Sequence, residues 1–130
     1  MTMAASNPLA LIVDRSWMIA ESAALALESE GFSTLTATQA DEAHRLIELH
    51  PSLAVLIAHI HLADESESEA LVVAAAERYP RLAIVLVSSS VPARPAAMPA
   101  AAVTLMKPFG RDQLVAAIRE AQRRVAGFSG

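Results

Sequence analysis

Three short, unbroken apolar runs constrain the fold of this chain more than any other feature. They are ALIV at residues 10–13, LAVLIA at 53–58 and LAIVLVS at 82–88. Runs this short are typical of strands that are buried on both faces, whereas helices need more residues. Such strands occur almost only in parallel sheets that are covered by helices. The runs therefore predict an α/β domain built around a parallel sheet.

Segments with helical periodicity alternate with these strands. Helices are predicted at residues 16–29, 39–50, 67–79 and 111–125, and two further strands at 32–37 and 101–105. Ser16 is a suitable N-cap for the first helix, and Gly31 is a suitable residue to end it. Strands that alternate with helices favour a parallel sheet with helices on both faces.

The alternation has one irregular place, between the fourth and fifth strands. A helix is due there, but Pro92, Pro95 and Pro99 fall within the segment. A proline in a helix interior costs about 3 kcal/mol, because it removes a hydrogen bond and clashes with the preceding turn. The sequence therefore predicts about five helices, of which the fourth is short or irregular.

Composition narrows the class of protein. The chain has 130 residues, of which 54% are apolar and only 4% aromatic, so we expect one domain with an aliphatic core. A formal net charge of -4 argues against a nucleic-acid-binding domain, and the lack of cysteine excludes disulfides and thiolate metal sites. Neither a signal peptide nor a membrane span is indicated. We expect a cytoplasmic domain over residues 1–130, with its core at about 9–122.

A candidate site follows from the predicted topology alone. In an open parallel sheet, functional groups collect beyond the carboxyl ends of the strands. Those ends carry Asp14 and Arg15, His59 and His61, Ser88 and Ser89, and Lys107. A buried carboxylate is tolerable only when it is paired. We therefore expect either Lys107 or Arg15 to neutralise Asp14.

The same strand ends resemble the receiver domain of two-component response regulators. MKPF at residues 106–109 is similar to that family's lysine and following proline, and LIVD at 11–14 agrees with its first strand. Ser88 stands where the family has threonine or serine, and LAVLIAHIHL at 53–62 is similar to its third strand and following loop. The resemblance implies a flavodoxin-like, doubly wound, five-stranded parallel sheet with strand order 2-1-3-4-5.

Two departures from the family bear on function. The resemblance places His59 at the position of the phosphoaccepting aspartate, and Arg15 at the second of two acids that hold Mg²⁺. Because Mg²⁺ favours hard oxygen ligands, both changes oppose its binding. The implied degenerate pocket consists of Asp14, Arg15, His59, Ser88 and Lys107. We expect it to bind no metal or other cofactor, and we do not expect the domain to be an enzyme.

The resemblance implies a role in phosphorelay signal transduction. The departures favour a pseudo-receiver that acts without phosphorylation, through protein–protein interaction. The expected partner is a histidine kinase, a downstream effector or a second copy of the chain, and neither a membrane nor nucleic acid.

In the family, the fourth helix, fifth strand and fifth helix form the contact face, and an aromatic side chain on the fifth strand reshapes it. Thr104 occupies that switch position here, so we expect a fixed face, with a homodimer as one possible use.

Other interpretations remain open. One is a phospho-responsive receiver with an unusual acceptor, such as His59 itself. Another is a small-ligand or metal-binding domain, in which His59 and His61 act with Asp64 and Glu65. His59 could also be only a polar residue at a strand end. Trp17, the only tryptophan, is either a partner contact or a cover over the pocket rim.

Overall fold

The computed structural model describes residues 7–60, 65–89 and 99–128. Within these ranges the chain forms five strands and four helices, and none of these helices is long and apolar enough to cross a membrane. The elements are β1 (Leu9–Val13), α1 (Trp17–Glu28), β2 (Ser33–Ala37), α2 (Ala40–Leu49), β3 (Leu53–His59), α3 (Glu65–Arg78), β4 (Ala83–Ser88), β5 (Val103–Met106) and α4 (Arg111–Phe128). The predicted short or irregular helix between β4 and β5, with Pro92 and Pro95, lies outside the described residues.

The five strands of the described ranges form one parallel sheet with the order β2-β1-β3-β4-β5. This confirms the predicted doubly wound sheet and its strand order. Val13 lies beside Ala58, and Ser88 lies beside Met106. Because the strands are parallel and their last residues are in register, their carboxyl ends meet at one edge of the sheet. The predicted site residues follow the strands at this edge.

The core consists of two aliphatic layers, one on each face of the sheet. Side chains alternate along each strand, so Leu11 and Leu56 belong to one layer while Ile12 and Ile57 belong to the other. Helices α2 and α3 cover the first layer, and helices α1 and α4 cover the second. Burial on both faces explains why the strands appear in the sequence as continuous apolar runs.

Most element boundaries differ from the predicted ones by one to three residues, and the end of α4 differs most, at Phe128 rather than residue 125. β3 continues to His59, one residue further than predicted, and α3 begins at Glu65 rather than at residue 67. β5 begins at Val103 rather than at residue 101. The N–H of Ala102 donates to the carbonyl of Pro99 at 3.1 Å, so these residues close a turn before the strand begins.

Helix α1 begins and ends at the residues whose chemistry predicts it. The hydroxyl of Ser16 accepts a hydrogen bond from the N–H of Ile19 at 3.3 Å, which satisfies one of the free donors of the first turn. Gly31 follows the helix with a φ of 96°, a conformation that glycine adopts without the strain other residues meet. The predicted cap and stop are both confirmed.

A hydrogen bond links the ends of α2 and α3, and we predict that it stabilises the fold. The hydroxyl of the partly buried Tyr79 donates to the backbone carbonyl of Ile47 at 2.7 Å. Tyr79→Phe should lower the free energy of unfolding by about 0.5–1.5 kcal/mol, because it removes the bond and keeps the ring. Urea denaturation followed by circular dichroism measures the change. Leu49→Ala, at an exposed position of α2, is the control and should stay within about 0.5 kcal/mol. A Tyr79→Phe variant as stable as the unsubstituted chain would contradict the prediction.

Candidate functional site

Asp14 is held at the end of β1 by its backbone and by both of its carboxylate oxygens. Its N–H donates to the carbonyl of Ala37 in β2 at 3.0 Å. Oδ1 accepts the N–H of Ser16 at 2.9 Å, and Oδ2 lies 2.8 Å from Nζ of Lys107. Only 6% of the Asp14 side chain is exposed, so its negative charge is almost fully removed from water. Burial of a carboxylate is tolerable only when it is paired and hydrogen-bonded, as Asp14 is here.

Lys107 reaches Asp14 across the carboxyl edge of the sheet. Its N–H donates to the carbonyl of Ser88 at 2.8 Å, which fixes its backbone beside β4. Its side chain is 17% exposed, and its Nζ reaches Asp14 although two strands, β4 and β3, separate β5 from β1. The expectation that Lys107 or Arg15 neutralises Asp14 is therefore confirmed. Arg15, the other cation considered, is exposed, so Lys107 is the residue that neutralises Asp14.

His59 is buried at the carboxyl end of β3, between the strands that carry Asp14 and Ser88. Its Nε2 lies 3.2 Å from the hydroxyl oxygen of Ser89, the residue that follows β4. Its backbone carbonyl accepts the hydroxyl of Ser68, in α3, at 3.3 Å. The position matched to the family's phosphoaccepting aspartate is thus held by two serines from neighbouring elements.

The contact of Ser68 with β3 was not anticipated from the sequence. Ser68 is 1% exposed and shares the buried face of α3 with Leu71, Val72 and Ala75. These residues have the i, i+3, i+4, i+7 spacing of one helix face. A single hydroxyl in such an apolar stripe must find a hydrogen-bond partner, and this spacing is the signal that would have identified it.

Ser88 and Thr104, the two residues matched to the family's switch, differ in their exposure. Ser88 is 3% exposed at the end of β4, whereas Thr104 is exposed on β5. Met106, two residues later on β5, is also exposed. Val103 and Leu105 point the other way and pack against the layer covered by α1 and α4. The outer side of β5 therefore presents a small hydroxyl where the family has a ring.

The described residues do not fit a divalent cation. Within residues 7–60, 65–89 and 99–128, no three or more side chains of His, Cys, Asp or Glu form a group that could hold a metal ion. Both oxygens of Asp14 are engaged, and Arg15 adds positive charge beside it. Mg²⁺ requires several free oxygen ligands, which this arrangement does not offer. His61 and Asp64 lie outside the described residues, so the two-histidine alternative stays a prediction.

A groove of about 550 Å³ lies between α1 and the segment that joins β5 to α4. It is lined by Ile19, Ser22, Ala23, Ala26, Lys107, Pro108, Phe109, Gly110, Arg111 and Leu114. Trp17 and Met18, in the first turn of α1, are 66% and 62% exposed. A ring that exposed does not cover the pocket rim, so its exposure favours the partner-contact interpretation of Trp17.

We predict that Lys107→Ala lowers the free energy of unfolding by about 1–3 kcal/mol, because it leaves the buried Asp14 carboxylate without its counterion. Thermal and urea denaturation measure the loss. Arg15→Ala, which removes the exposed cation next to Asp14, is the control and should stay within about 0.5 kcal/mol. Asp14→Asn in the Lys107→Ala background should recover part of the loss, since it removes the stranded charge. An unchanged melting temperature in Lys107→Ala would contradict the prediction.

Solved structures of other proteins share this fold. A response regulator receiver domain protein from Methanospirillum hungatei JF-1 is 25% identical with a TM-score of 0.80, over 95% of this chain and 99% of that chain. A response regulator receiver protein from Sinorhizobium medicae WSM419 is 16% identical with a TM-score of 0.78, over 94% and 99% of the two chains. The N-terminal domain of a response regulator/sensory box/GGDEF 3-domain protein from Carboxydothermus hydrogenoformans is 18% identical with a TM-score of 0.78, again over 94% and 99%.

No family model matches the chain, and no curated protein matches it either. The similarity is therefore one of structure, carried by the strand order and by nearly complete coverage of both chains. The chain has the fold of a response regulator receiver domain.

Proposed function

We propose that the chain is a receiver-like domain of two-component-type signal transduction that acts by protein–protein interaction and does not depend on aspartate phosphorylation. The receiver fold supports the role in a phosphorelay. The observation that carries the rest is the 2.8 Å ion pair between Lys107 and Asp14. It neutralises the buried carboxylate without a metal, and His59 stands at the strand end where the resemblance places the phosphoacceptor.

Phosphorylation would require this ion pair to open. The resemblance implies that the lysine of a phosphorylated receiver contacts the new acyl phosphate. Here Lys107 would first have to leave Asp14, which strands a buried carboxylate at a cost of about 1–3 kcal/mol, as in the Lys107→Ala variant. His59 provides no carboxylate on which an acyl phosphate could form. Both features favour a pocket that remains in one state.

We predict that Mg²⁺ at millimolar concentration does not bind the pocket. A metal would have to displace Lys107 or the Ser16 N–H from Asp14, and Arg15 would repel it. Trp17 follows Ser16 directly and is the only tryptophan, so its fluorescence reports on this site. The titration should be flat.

The matched control for the metal titration is the double variant Arg15→Asp with His59→Asp. It restores carboxylates at the two positions where the family resemblance expects them, and it should gain a saturable response to Mg²⁺ that EDTA reverses. A saturable, EDTA-reversible quench in the unsubstituted chain would show that the pocket still binds the metal.

The contact face is proposed to be fixed rather than switched. Thr104 supplies no ring that could change position, and the Lys107 N–H bond to Ser88 ties the end of β5 to β4. A ligand shifts a conformational equilibrium only through a difference in affinity between two states. Without an acceptor and a movable ring, the described residues provide no such difference.

We predict that acetyl phosphate or beryllofluoride, each with Mg²⁺, leaves the hydrogen exchange of the β4 and β5 amides unchanged. Mass spectrometry of peptides that cover residues 83–88 and 103–106 measures it. The Arg15→Asp, His59→Asp variant serves as the positive control. A change in protection of these strands in the unsubstituted chain would favour the alternative, a phospho-responsive receiver with an unusual acceptor.

The proposed partner is a signalling protein or a second copy of the chain. The exposed side chains of Thr104 and Met106 belong to β5, one of the elements that the family resemblance assigns to the contact face, and they point away from the layer covered by α1 and α4. Trp17 and Met18 provide a second exposed apolar area at the start of α1. Large exposed apolar side chains that lie together are a feature of protein interaction sites.

A further inference from the structure

We propose that the chain forms a symmetric homodimer through the side of the domain that carries α1 and α4. This α1–α4 face consists of the outer side chains of α1, the groove of about 550 Å³ beside it and the arginines of α4. The dimer is one form of the protein–protein interaction proposed above and rests on that proposal. Thr104 and Met106 of β5 point away from the layer covered by α1 and α4, so the face is distinct from the surface of β5.

The outer side of α1 is apolar. Of the six large apolar side chains that are exposed within the described ranges, four belong to this helix: Trp17, Met18, Ile19 and Leu25. Met18 and Leu25 are seven residues apart, which places them on one side of the helix, and they are 62% and 67% exposed. Ile19 and Ala26 have the same spacing, and both line the groove. Apolar side chains that lie together in this way mark a surface that another protein covers.

An acidic row follows the side of α1 that lies next to β2. Glu21 and Glu28 are again seven residues apart, and their carboxylates accept the hydroxyls of Thr36 at 3.3 Å and Thr34 at 2.6 Å. Because a threonine hydroxyl does not neutralise a carboxylate, both glutamates keep a negative charge with which a cation can pair. Residues 15–30 contain one arginine and three glutamates, which gives α1 and its flanks a net charge of -2.

Helix α4 carries the opposite charge on the other side of the groove. Residues 111–128 contain four arginines, one aspartate and one glutamate, a net charge of +2. Arg111 and Arg119 both reach Glu30, two residues beyond Glu28, and their side chains are 51% and 55% exposed. One carboxylate shared by two arginines leaves positive charge in excess at the level of Glu28.

The order of these groups makes the α1–α4 face complementary to itself. From β2 towards α4 the face is acidic, then apolar, then basic. A twofold axis that is parallel to α1 and follows the groove exchanges the two sides, so that α1 of each copy faces α4 of the other. Glu28 then lies opposite Arg119 of the second copy, and the apolar rows of α1 are covered. An interface between identical copies related by a twofold axis requires such a self-complementary patch.

Analytical ultracentrifugation of the full chain over a concentration series tests the dimer. We expect an equilibrium between monomer and dimer. Leu25→Glu places an unpaired charge on the apolar part of the face and should weaken association about 100-fold. Leu49→Glu is the matched control, because Leu49 is 64% exposed on α2, on the opposite side of the sheet. It should leave the dimer unchanged.

A charge exchange tests how the two copies are arranged. Glu28→Arg alone and Arg119→Glu alone should each weaken self-association about 10-fold, since each variant places two pairs of like charges in a symmetric dimer. An equimolar mixture of the two variants should associate as the unsubstituted chain does, because in the mixed dimer both positions meet a charge of the other sign. Melting curves show whether each variant is folded, and if a charge variant is not, the comparison of Leu25→Glu with Leu49→Glu decides.

Three results would overturn the proposal. They are a monomer throughout the concentration series, a dimer that Leu25→Glu does not weaken, and a mixture of the two charge variants that associates no better than each alone. A monomeric chain whose Mg²⁺ titration is flat and whose strands show unchanged hydrogen exchange would refute the dimer and leave the proposed function intact. A response to Mg²⁺ or acetyl phosphate in a dimer that Leu25→Glu weakens would do the reverse.

Discussion

The ion pair between Asp14 and Lys107 is the interaction on which the rest of the site depends. Taking either charge out of water alone would cost several kcal/mol, so each residue makes the burial of the other tolerable. The pair also joins β1 to β5, the first and last strands of the chain, across two strands that lie between them. The charge of the Asp14 carboxylate is therefore neutralised by another residue of the same chain.

His59 stands where the family resemblance expects an aspartate, and it contacts two serines from neighbouring elements. A histidine at a buried strand end must satisfy its ring and backbone, and Ser89 and Ser68 contribute to this from two neighbouring elements. The carboxylate expected from the family would place a second negative charge near Asp14. The histidine does not, so it is compatible with an ion pair that already neutralises Asp14. The two departures at residues 15 and 59 are thus consistent with one electrostatic arrangement.

The sheet was predictable because strands buried on both faces appear in the sequence as continuous apolar runs, such as residues 53–58. The need to neutralise Asp14 was also predictable, but the identity of its partner was not. Both Arg15 and Lys107 are close in the predicted topology, and only the actual backbone decides that Arg15 faces solvent. The contacts of His59 depend on distances between α3, β3 and β4 that no periodic pattern encodes. β5 begins at Val103 rather than at the predicted residue 101, because a turn closed by the hydrogen bond from Ala102 to Pro99 precedes it. No periodic pattern in the sequence predicts this turn.

The division of the core into two layers has a consequence for how such a sequence can change over time. Leu71 belongs to the layer under α2 and α3, and Leu114 belongs to the layer under α1 and α4. The sheet lies between them, so the stability effects of substitutions in the two layers should be nearly additive. The cost of a substitution in one layer then does not depend on which residues fill the other. A change that adapts the side formed by α1 and α4 to a new partner therefore costs the same stability whatever the opposite layer contains.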